Sequence, residues 1–470
     1  MTECSQQTFN FQSLQQREVV GRFDGGSLTS DAGALLLREV ELRTGIVKQF
    51  AACFKDFRDP DLIEHSLLTL VAQRVFGLAL GYEDLNDHDE LRADPLLAVA
   101  VNHPDPLGTT RHKLRDRGKP LAGKSTLNRL ELTPAQADTS SRYKKVVYQR
   151  GAIENLFVDL FLQAHDHEPD AIVLDLDATD DPVHGNQQGR FFHGYYGEYC
   201  YLPLYIFCGE HLLCARLRPA NIDGAAGALK LLKRIVERIR AQWPHVKITL
   251  RGDSGFCREH LMAYCEDNGL FYIFGLARNS RLEAELAPEM AQAEAQFQQT
   301  RRAARVFKDF TYQTRESWQC PRRVVGKAEF LEKGANPRFV VTNIPVQEQA
   351  AQTLYEDTYC ARGEMENRIK EQQLFLFADR TSAVTMRANQ LRLWFSSVAY
   401  VLLHALRRLG LQDTEMEHAT CQTIRLRLLK IGAQIRVTVR KIWLSLAEGY
   451  PAKRLFVEIC HKIQALPLRC

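Results

Sequence analysis

The stretch AIVLDLDA, residues 171–178 of this 470-residue chain, places two aspartates in an apolar run. Its apolar and β-branched residues are typical of a buried strand. Asp175 and Asp177 lie two positions apart, so both side chains point to one face of that strand. An unpaired buried carboxylate is costly. The sequence therefore predicts that this strand binds a cation here or lies where water reaches it.

The segments after this strand predict an α/β layer. Residues 200–208 and 211–219 form an expected hairpin around Gly209, and the amphipathic helix of residues 224–243 stops at Pro244. A strand, a helix and another strand follow, up to residue 277. This order predicts a mixed sheet covered by helices.

Changes of pattern divide the rest of the chain. We expect a mainly helical N-terminal region (1–165), the first part of the core (166–280), a β-rich insertion (281–345), the second part of the core with a long helix (346–410), and a basic, helical C-terminal region (411–470).

Composition excludes some classes of protein. The longest apolar runs are shorter than the roughly 18 to 20 residues of a membrane span, so we expect no membrane association. The cysteines are scattered without a C-x-x-C pair, which favours a reducing cytoplasm over a disulfide framework or a zinc ribbon.

Positive charge is concentrated in particular segments. Residues 421–470 hold ten Lys or Arg and two Glu, a net charge of +8 against +4 for the whole chain. Residues 301–327 hold eight basic and two acidic side chains. Local basic surfaces on a nearly neutral body suit a polyanion, although an ordinary solvated helix face is an equal alternative for the C-terminal segment.

Further carboxylates follow the first strand. Asp253 ends a second predicted strand, and Glu364, Glu366 and Glu371 lie on a later predicted helix. If an aspartate of the first strand, Asp253 and one of these glutamates meet at one end of the sheet, divalent cations between them would relieve the repulsion. Oxygen ligands of this kind suit Mg²⁺ or Mn²⁺. Two such ions about 4 Å apart can activate water or a 3′-hydroxyl at a phosphodiester.

The predicted helix adds a basic and an aromatic side chain. Tyr359, Arg362 and Glu366 are spaced i, i+3 and i+7, which places them on one stripe. Arg362 is suited to bind a phosphate through two hydrogen bonds, and Tyr359 is suited to hydrogen-bond the same phosphate backbone. The alternative is a surface Arg–Glu pair.

Together these residues resemble the DDE transposases of bacterial insertion sequences, in the group with a Y-x2-R-x3-E-x6-K signature after a β-rich insertion. Tyr359, Arg362 and Glu366 match the signature by position, and DLDATDDPVHG, LRGDSGF and YCARGEMENRIKE resemble the catalytic blocks. The resemblance implies an RNase H-like mixed sheet flanked by helices. It also implies that Asp177, Asp253 and Glu366 are catalytic and bind two Mg²⁺ ions, with Mn²⁺ as a substitute. Asp175 stays open as an alternative first ligand.

The match has one departure. The signature lysine falls at position 373, where this chain has Gln373, and Lys370 is a candidate to supply a phosphate contact. In the expected insertion, Trp318 is a candidate to stack on a flipped base, with core packing as the alternative. Arg322 and Arg323 of the basic run are candidate DNA contacts.

The resemblance also implies a function. Such enzymes bind the terminal inverted repeats of double-stranded DNA, cut at the ends, and join the free 3′-OH to target DNA. We expect the N-terminal helical region (1–165) and the basic C-terminal region (411–470) to bind the ends of the element within a homodimer on DNA. We expect the protein in the cytoplasm, associated with the nucleoid when bound. A metal-dependent nuclease without strand transfer and a non-catalytic DNA-binding protein descended from a transposase are the alternatives.

A competing motif is GKPLAGKS, residues 118–125, which matches the phosphate-binding loop of NTPases. That loop needs a buried strand directly before it and a well-formed helix directly after it. The preceding GTTRHKLRDRG is polar and basic, so we expect only a helix start capped by Ser125.

Overall fold

The structure, a computed structural model, describes residues 8–469. The described residues form two compact units. One runs up to Tyr148 and resumes at Val398, and the other spans Gln149–Ser397. The N-terminal and C-terminal segments therefore share a unit, and the intervening chain forms the second.

The segment before Gln149 is mostly helical but begins with strands. Its strands are β1 (Phe9–Leu14), β2 (Arg17–Gly21), β3 (Ser27–Thr29), β4 (Phe54–Asp56) and β5 (Val146–Tyr148). Its helices are α1 (Ala34–Thr44), α2 (Ile46–Ala51), α3 (Leu67–Leu80), α4 (His88–Leu91), α5 (Pro95–Ala100) and α6 (Lys124–Glu131).

Helix α6 starts inside the NTPase-like motif, but not as expected. Gly123 is its N-cap residue, and no side chain caps it from that position, so the predicted Ser125 cap is wrong. The carboxylate of Asp89 accepts the Lys124 N–H at 3.0 Å instead. A 3₁₀ turn, Leu114–Asp116, precedes the motif where an NTPase would have a strand.

The unit Gln149–Ser397 is built around a large sheet. Its strands are β6 (Ala171–Ala178), β7 (Asp181–Pro182), β8 (Phe191–His193), β9 (Glu198–Tyr201), β10 (Leu204–Cys208), β11 (His211–Arg216), β12 (Lys247–Gly252), β13 (Phe271–Leu276), β14 (Ala304–Tyr312), β15 (Arg322–Leu331), β16 (Gly334–Ala335) and β17 (Arg338–Thr342). Its helices are α7 (Arg150–Gln163), α8 (Ala228–Gln242), α9 (Glu259–Asp267), α10 (Ser280–Glu285), α11 (Ala287–Thr300), α12 (Ala351–Thr353), α13 (Gly363–Lys370) and α14, which begins at Met386 and ends at Leu406.

The main sheet has the order β11-β10-β6-β12-β13-β17-β15-β14, with β16 paired to β15. Strands β6, β12 and β13 are parallel, and the other pairs are antiparallel. The predicted elements from 171 to 277 are present in the expected order, including the β10–β11 hairpin with Gly209 at φ 56°. The short strands β7, β8 and β9, which lie between β6 and β10 and form their own sheet, were not predicted. The protein therefore has a mixed α/β fold.

The segment expected to be a β-rich insertion extends the main sheet. Strand β17 pairs with β13, so β14 to β17 extend the main sheet. Val340 and Val341 are fully buried and belong to core clusters on opposite faces of the sheet. A strand covered on both faces lies inside a sheet, which explains why this segment continues the core.

The C-terminal segment is not uniformly helical. It contains α15 (Cys421–Ile424), β18 (Ala433–Val437), β19 (Ile442–Leu446) and α16 (Lys453–Gln464), and β18 pairs with β19 and β3. Ala433 and Ile435 are buried, whereas Gln434 and Arg436 are exposed. This period of two is that of a strand, so the helical prediction is wrong there.

None of the helices in the described part of the chain has the length and apolarity needed to span a bilayer.

The fold yields a stability prediction. Leu174 is fully buried in β6, so Leu174→Ala should lower the free energy of unfolding by about 2–5 kcal/mol. Leu374 is 63% exposed, so the matched Leu374→Ala should change it by less than about 0.5 kcal/mol. Urea unfolding measures both. Equal effects would show that β6 is not central to the core.

Candidate active site

Two aspartates lie at the same edge of the main sheet. Asp177 is near the carboxyl end of β6, and Asp253 directly follows β12. These strands are parallel partners, with Leu176 opposite Gly252, so their carboxyl ends meet at one edge. The Asp253 side chain accepts the Gly255 N–H at 2.9 Å, which fixes it in the turn after the strand.

Arg362 brings the third carboxylate to this edge. Its Nη2 donates to Oε1 of Glu366 at 2.8 Å, and its Nη1 lies 3.9 Å from Oδ1 of Asp177. The guanidinium therefore lies between the strand carboxylate and the helix carboxylate. The structure brings these predicted residues together.

Burial and the charges at this edge perturb the pKa of Asp177. Burial raises the pKa of Asp177 to about 6, and the neighbouring carboxylates of Asp253 and Glu366 add to the rise, while Arg362 opposes it. A neighbouring like charge disfavours ionisation. The site is therefore one where an added cation would be stabilised.

Tyr359 also reaches the turn that holds Asp253. A Cβ added at Gly275 would lie 2.6 Å from the Tyr359 hydroxyl oxygen and 2.9 Å from the Ser254 nitrogen. The missing side chain at Gly275 therefore makes room for the tyrosine hydroxyl. Burial raises the pKa of Tyr359, so it stays a neutral donor at physiological pH.

The segment that carries this stripe is helical but irregular. Helix α12 continues as a π-helical turn (Leu354–Tyr359) and a 3₁₀ turn (Cys360–Arg362) before α13, and a second π turn (Glu371–Phe375) follows it. Turns of the π type occur frequently at functional sites. The predicted helix is confirmed, but its regular geometry is not.

Asp175 has a different role from Asp177. Its carboxylate forms a bidentate ion pair with Arg251, at 2.5 and 2.8 Å, and both side chains are almost completely buried. Arg251 also donates to the Thr358 carbonyl oxygen. With its oxygens committed to Arg251, Asp175 is poorly placed to bind a metal, which favours Asp177.

The candidate DNA contacts from residues 301–327 lie elsewhere. Trp318 is only 6% exposed and packs against Tyr312, with ring centroids 5.8 Å apart. The buried Arg322 bonds Glu259 at 2.6 Å and Glu266 at 2.7 Å. These side chains stabilise the fold, so their predicted contact with DNA has no exposed surface to support it.

Arg323 is similarly committed. It pairs with Asp309 at 2.7 Å and donates to the Ile344 carbonyl oxygen at 2.7 Å. By contrast, Lys370 is exposed at the end of α13. Gln373, at the position of the signature lysine, donates to the Asp180 carbonyl oxygen at 2.9 Å, close in sequence to Asp177.

An aromatic hairpin formed by β8 and β9 was missed by the sequence reasoning. Its rings of Phe192 and Tyr199 are 56% and 50% exposed and lie 5.7 Å apart, and Arg190 stacks on Tyr199 at 4.7 Å. The Tyr196 hydroxyl lies 3.4 Å from the Ala178 carbonyl oxygen, beside Asp177. The dense aromatic stretch RFFHGYYGEYCY after the first aspartate was the available signal.

Comparison with known families shows the family of the chain. Residues 11–468 match the family model of the transposase DDE domain group 1. The chain belongs to this family. Members of DDE transposase families are polynucleotidyl transferases or nucleases that act on DNA, and they use divalent metal ions.

Among solved structures, this DDE transposase is similar to a chain in the cryo-EM structure of the piggyBac transposase synaptic complex with hairpin DNA. The TM-score is 0.39 and the sequence identity 10%, with 85% of this chain and 80% of that chain covered. A comparison with proteins of curated function found no match.

The carboxylates of Asp177, Asp253 and Glu366 in this DDE transposase are of the type that binds a divalent cation, but their positions in this structure do not form a metal-binding group. Within residues 8–469, no three His, Cys, Asp or Glu side chains stand in a metal-binding arrangement. Carboxylate oxygens are the ligands that Mg²⁺ prefers. Glu366 would need to exchange Arg362 for the ion, and the raised pKa of Asp177 marks where the ion's charge is needed.

The pKa of Asp177 gives a pH prediction. Between the ordinary value of 3.8 and about 6, the folded protein holds this proton and the unfolded chain does not. Stability should therefore rise as pH falls through about 6, and above that pH the charge should cost on the order of 1–3 kcal/mol. Asp177→Asn should lack this component and be more stable at neutral pH. Urea unfolding in EDTA, from about pH 5 to about pH 8, tests it, and parallel profiles would contradict it.

Proposed function

We propose that this chain is the transposase of a bacterial insertion sequence, cutting and joining DNA at the element's terminal inverted repeats. The observation that carries the proposal is the convergence of Asp177, Glu366 and Arg362 beside the turn of Asp253. Family membership supports it. The order β11-β10-β6-β12-β13, antiparallel and then parallel, supports an RNase H-like core. The proposal includes action in the cytoplasm and two copies of the chain on paired ends.

We assign Asp177, Asp253 and Glu366 as ligands of two Mg²⁺ ions, for which Mn²⁺ would substitute. When bound, such ions activate the attacking oxygen and stabilise the leaving oxygen of a phosphodiester. Binding of an ion by Glu366 would free Arg362, and the guanidinium could then bind a DNA phosphate through two parallel N–H donors.

The chain's own residues hold the DNA for two reactions. Arg362 and the hydroxyl of Tyr359 bond the phosphate next to the scissile bond, and the exposed Lys370 contacts the backbone further along. In cleavage, water attacks phosphorus and the bond to the 3′ oxygen breaks, leaving a 3′-OH. In joining, that 3′-OH attacks a target phosphodiester and displaces its 3′ oxygen.

The aromatic hairpin takes the stacking role first considered for Trp318. Phe192 and Tyr199 form a cross-strand pair with exposed rings, and the hairpin contacts the end of β6 through Tyr196. Exposed rings stack on unpaired bases of any sequence. We place the distorted end of the cleaved DNA against this hairpin.

A catalytic variant tests the assignment. Asp253→Asn keeps an acceptor for the Gly255 N–H but removes the negative charge. We therefore expect the variant to lose both nicking and joining. The assay uses a labelled duplex that carries the terminal repeat, in the presence of Mg²⁺. Asp267→Asn, at an exposed position of α9, is the matched control and should retain both activities.

The same assay separates the alternatives. Degradation regardless of sequence, lost in Asp253→Asn, would favour a nuclease. Tight binding of the repeat with no cleavage by either protein would favour a non-catalytic binder.

A second test concerns the hairpin. Phe192→Ala should weaken binding to a duplex with an unpaired end by about 5- to 150-fold, because one stacked base contributes about 1–3 kcal/mol. Phe191 lies on the other face of β8, opposite Cys200, so Phe191→Ala should leave affinity nearly unchanged. Fluorescence anisotropy measures both, and equal losses would contradict a stacking face.

A further inference from the structure

A basic cavity lies in the N-terminal segment. It belongs to the unit that does not contain Asp177, Asp253 and Glu366. Its volume is about 390 Å³, and among the described residues that line it, seven Lys or Arg stand against three Asp or Glu. Concentrated positive charge in a partly enclosed space raises the local concentration of anions. The cavity is therefore suited to an anion.

Each acidic side chain in its wall has a basic neighbour. Glu64 pairs with Arg111 through Oε2 at 3.0 Å, Asp89 accepts the Lys124 N–H at 3.0 Å, and Asp116 lies 3.9 Å from Arg92 and from Arg115. Arg129 and Lys145, by contrast, contact no carboxylate in the described structure. Arg129 stacks on Tyr143 at 5.0 Å, and Lys145 donates to the Thr139 carbonyl oxygen at 2.6 Å. Their charge is available to a ligand.

A buried histidine in the wall lacks an acceptor. His65 is 4% exposed, and its Nε2 lies 2.9 Å from Nη1 of Arg111. A guanidinium can only donate, so Nε2 accepts and the neutral ring carries its proton on Nδ1. That buried Nδ1 has no partner in the described structure, and neither does Nε of Arg111. Burial, with Arg111 adding, lowers the pKa of His65 to about 3, which keeps the ring neutral.

We propose that this cavity binds a phosphate group, held by Arg129, Lys145 and Lys113 and by the unpartnered N–H donors of His65 and Arg111. Phosphate oxygens accept several hydrogen bonds at once, and their negative charge balances the excess positive charge of the wall. The group is either a phosphodiester of bound DNA or a free phosphate. The site goes beyond the proposed function, because it requires none of the three carboxylates.

The site differs from the loop of an NTPase, although Gly123 and Ser125 of the GKPLAGKS motif line it. In such loops, backbone N–H groups cradle the phosphates. Here Asp89 occupies the first N–H of α6, at Lys124, and also pairs with the Lys124 ammonium at 3.3 Å. Cationic side chains, not the backbone, form this site.

A matched pair of arginines tests the proposal. Arg129 and Arg142 lie 5.0 and 4.9 Å from the Tyr143 ring, but Arg129 lines the cavity and Arg142 lies outside its wall. In calorimetric titration of the full chain with inorganic phosphate at constant ionic strength, we expect binding by the wild type and by Arg142→Gln. Lys113→Gln combined with Arg129→Gln should weaken it about tenfold or more.

Duplex DNA distinguishes the two sources of phosphate. If saturating duplex abolishes phosphate binding, the cavity holds a backbone phosphodiester, and if phosphate still binds, it holds a free phosphate. No binding of phosphate by the wild type, or equal loss in the Arg142→Gln and Lys113/Arg129 variants, would overturn the proposal. The titration involves no catalysis, so its failure is distinguishable from failure of the transposase assignment.

Discussion

The buried ion pair between Asp175 and Arg251 is the interaction on which the arrangement of the candidate active site depends. It joins β6 to β12, and the bond from Arg251 to the Thr358 carbonyl oxygen adds the helical segment to the same contact. Removing two charges from water is costly, and only good geometry with further hydrogen bonds offsets it. Loss of one partner of such a pair typically costs about 3–5 kcal/mol. This contact therefore fixes where Asp177, Asp253 and Glu366 stand.

The edge of the sheet next to this pair shows the opposite balance. There Asp177 is half-buried, its nearest counter-charge is Arg362 at 3.9 Å, and desolvation raises its pKa to about 6. Burial raises the pKa of Asp175 as well, but its two oxygens are paired with Arg251, whereas the nearest counter-charge of Asp177 is 3.9 Å away. The two aspartates of β6 therefore differ in their contacts and not in the direction of their pKa shifts.

Local patterns predicted the elements near the site, whereas contacts distant in sequence were not predictable. The apolar run of β6 and the i, i+3, i+7 spacing of Tyr359, Arg362 and Glu366 indicated a strand and a helix, and both are present. The sequence left Asp175 open as an alternative to Asp177, because Arg251, which distinguishes them, lies 76 residues away from Asp175.

The errors have the same origin. The exposure of Trp318 depends on Tyr312 and Arg322, which approach it only after β14 and β15 pair. The basic composition of the C-terminal segment concealed the period of two in β18. In the supposed insertion, the short strands looked independent because their partner, β13, comes before two helices.

The π turns on either side of α13 affect which changes of chain length the protein can accept. A π turn contains one residue more than an α turn, so deletion of a single residue within Leu354–Tyr359 can be absorbed by conversion to α geometry, with both flanks keeping their faces. A deletion within α13 would rotate the rest of α13 by about 100°, up to the second π turn (Glu371–Phe375), which can absorb the change in the same way. Of these neighbouring turns, the irregular ones are the places where the length of the chain is adjustable.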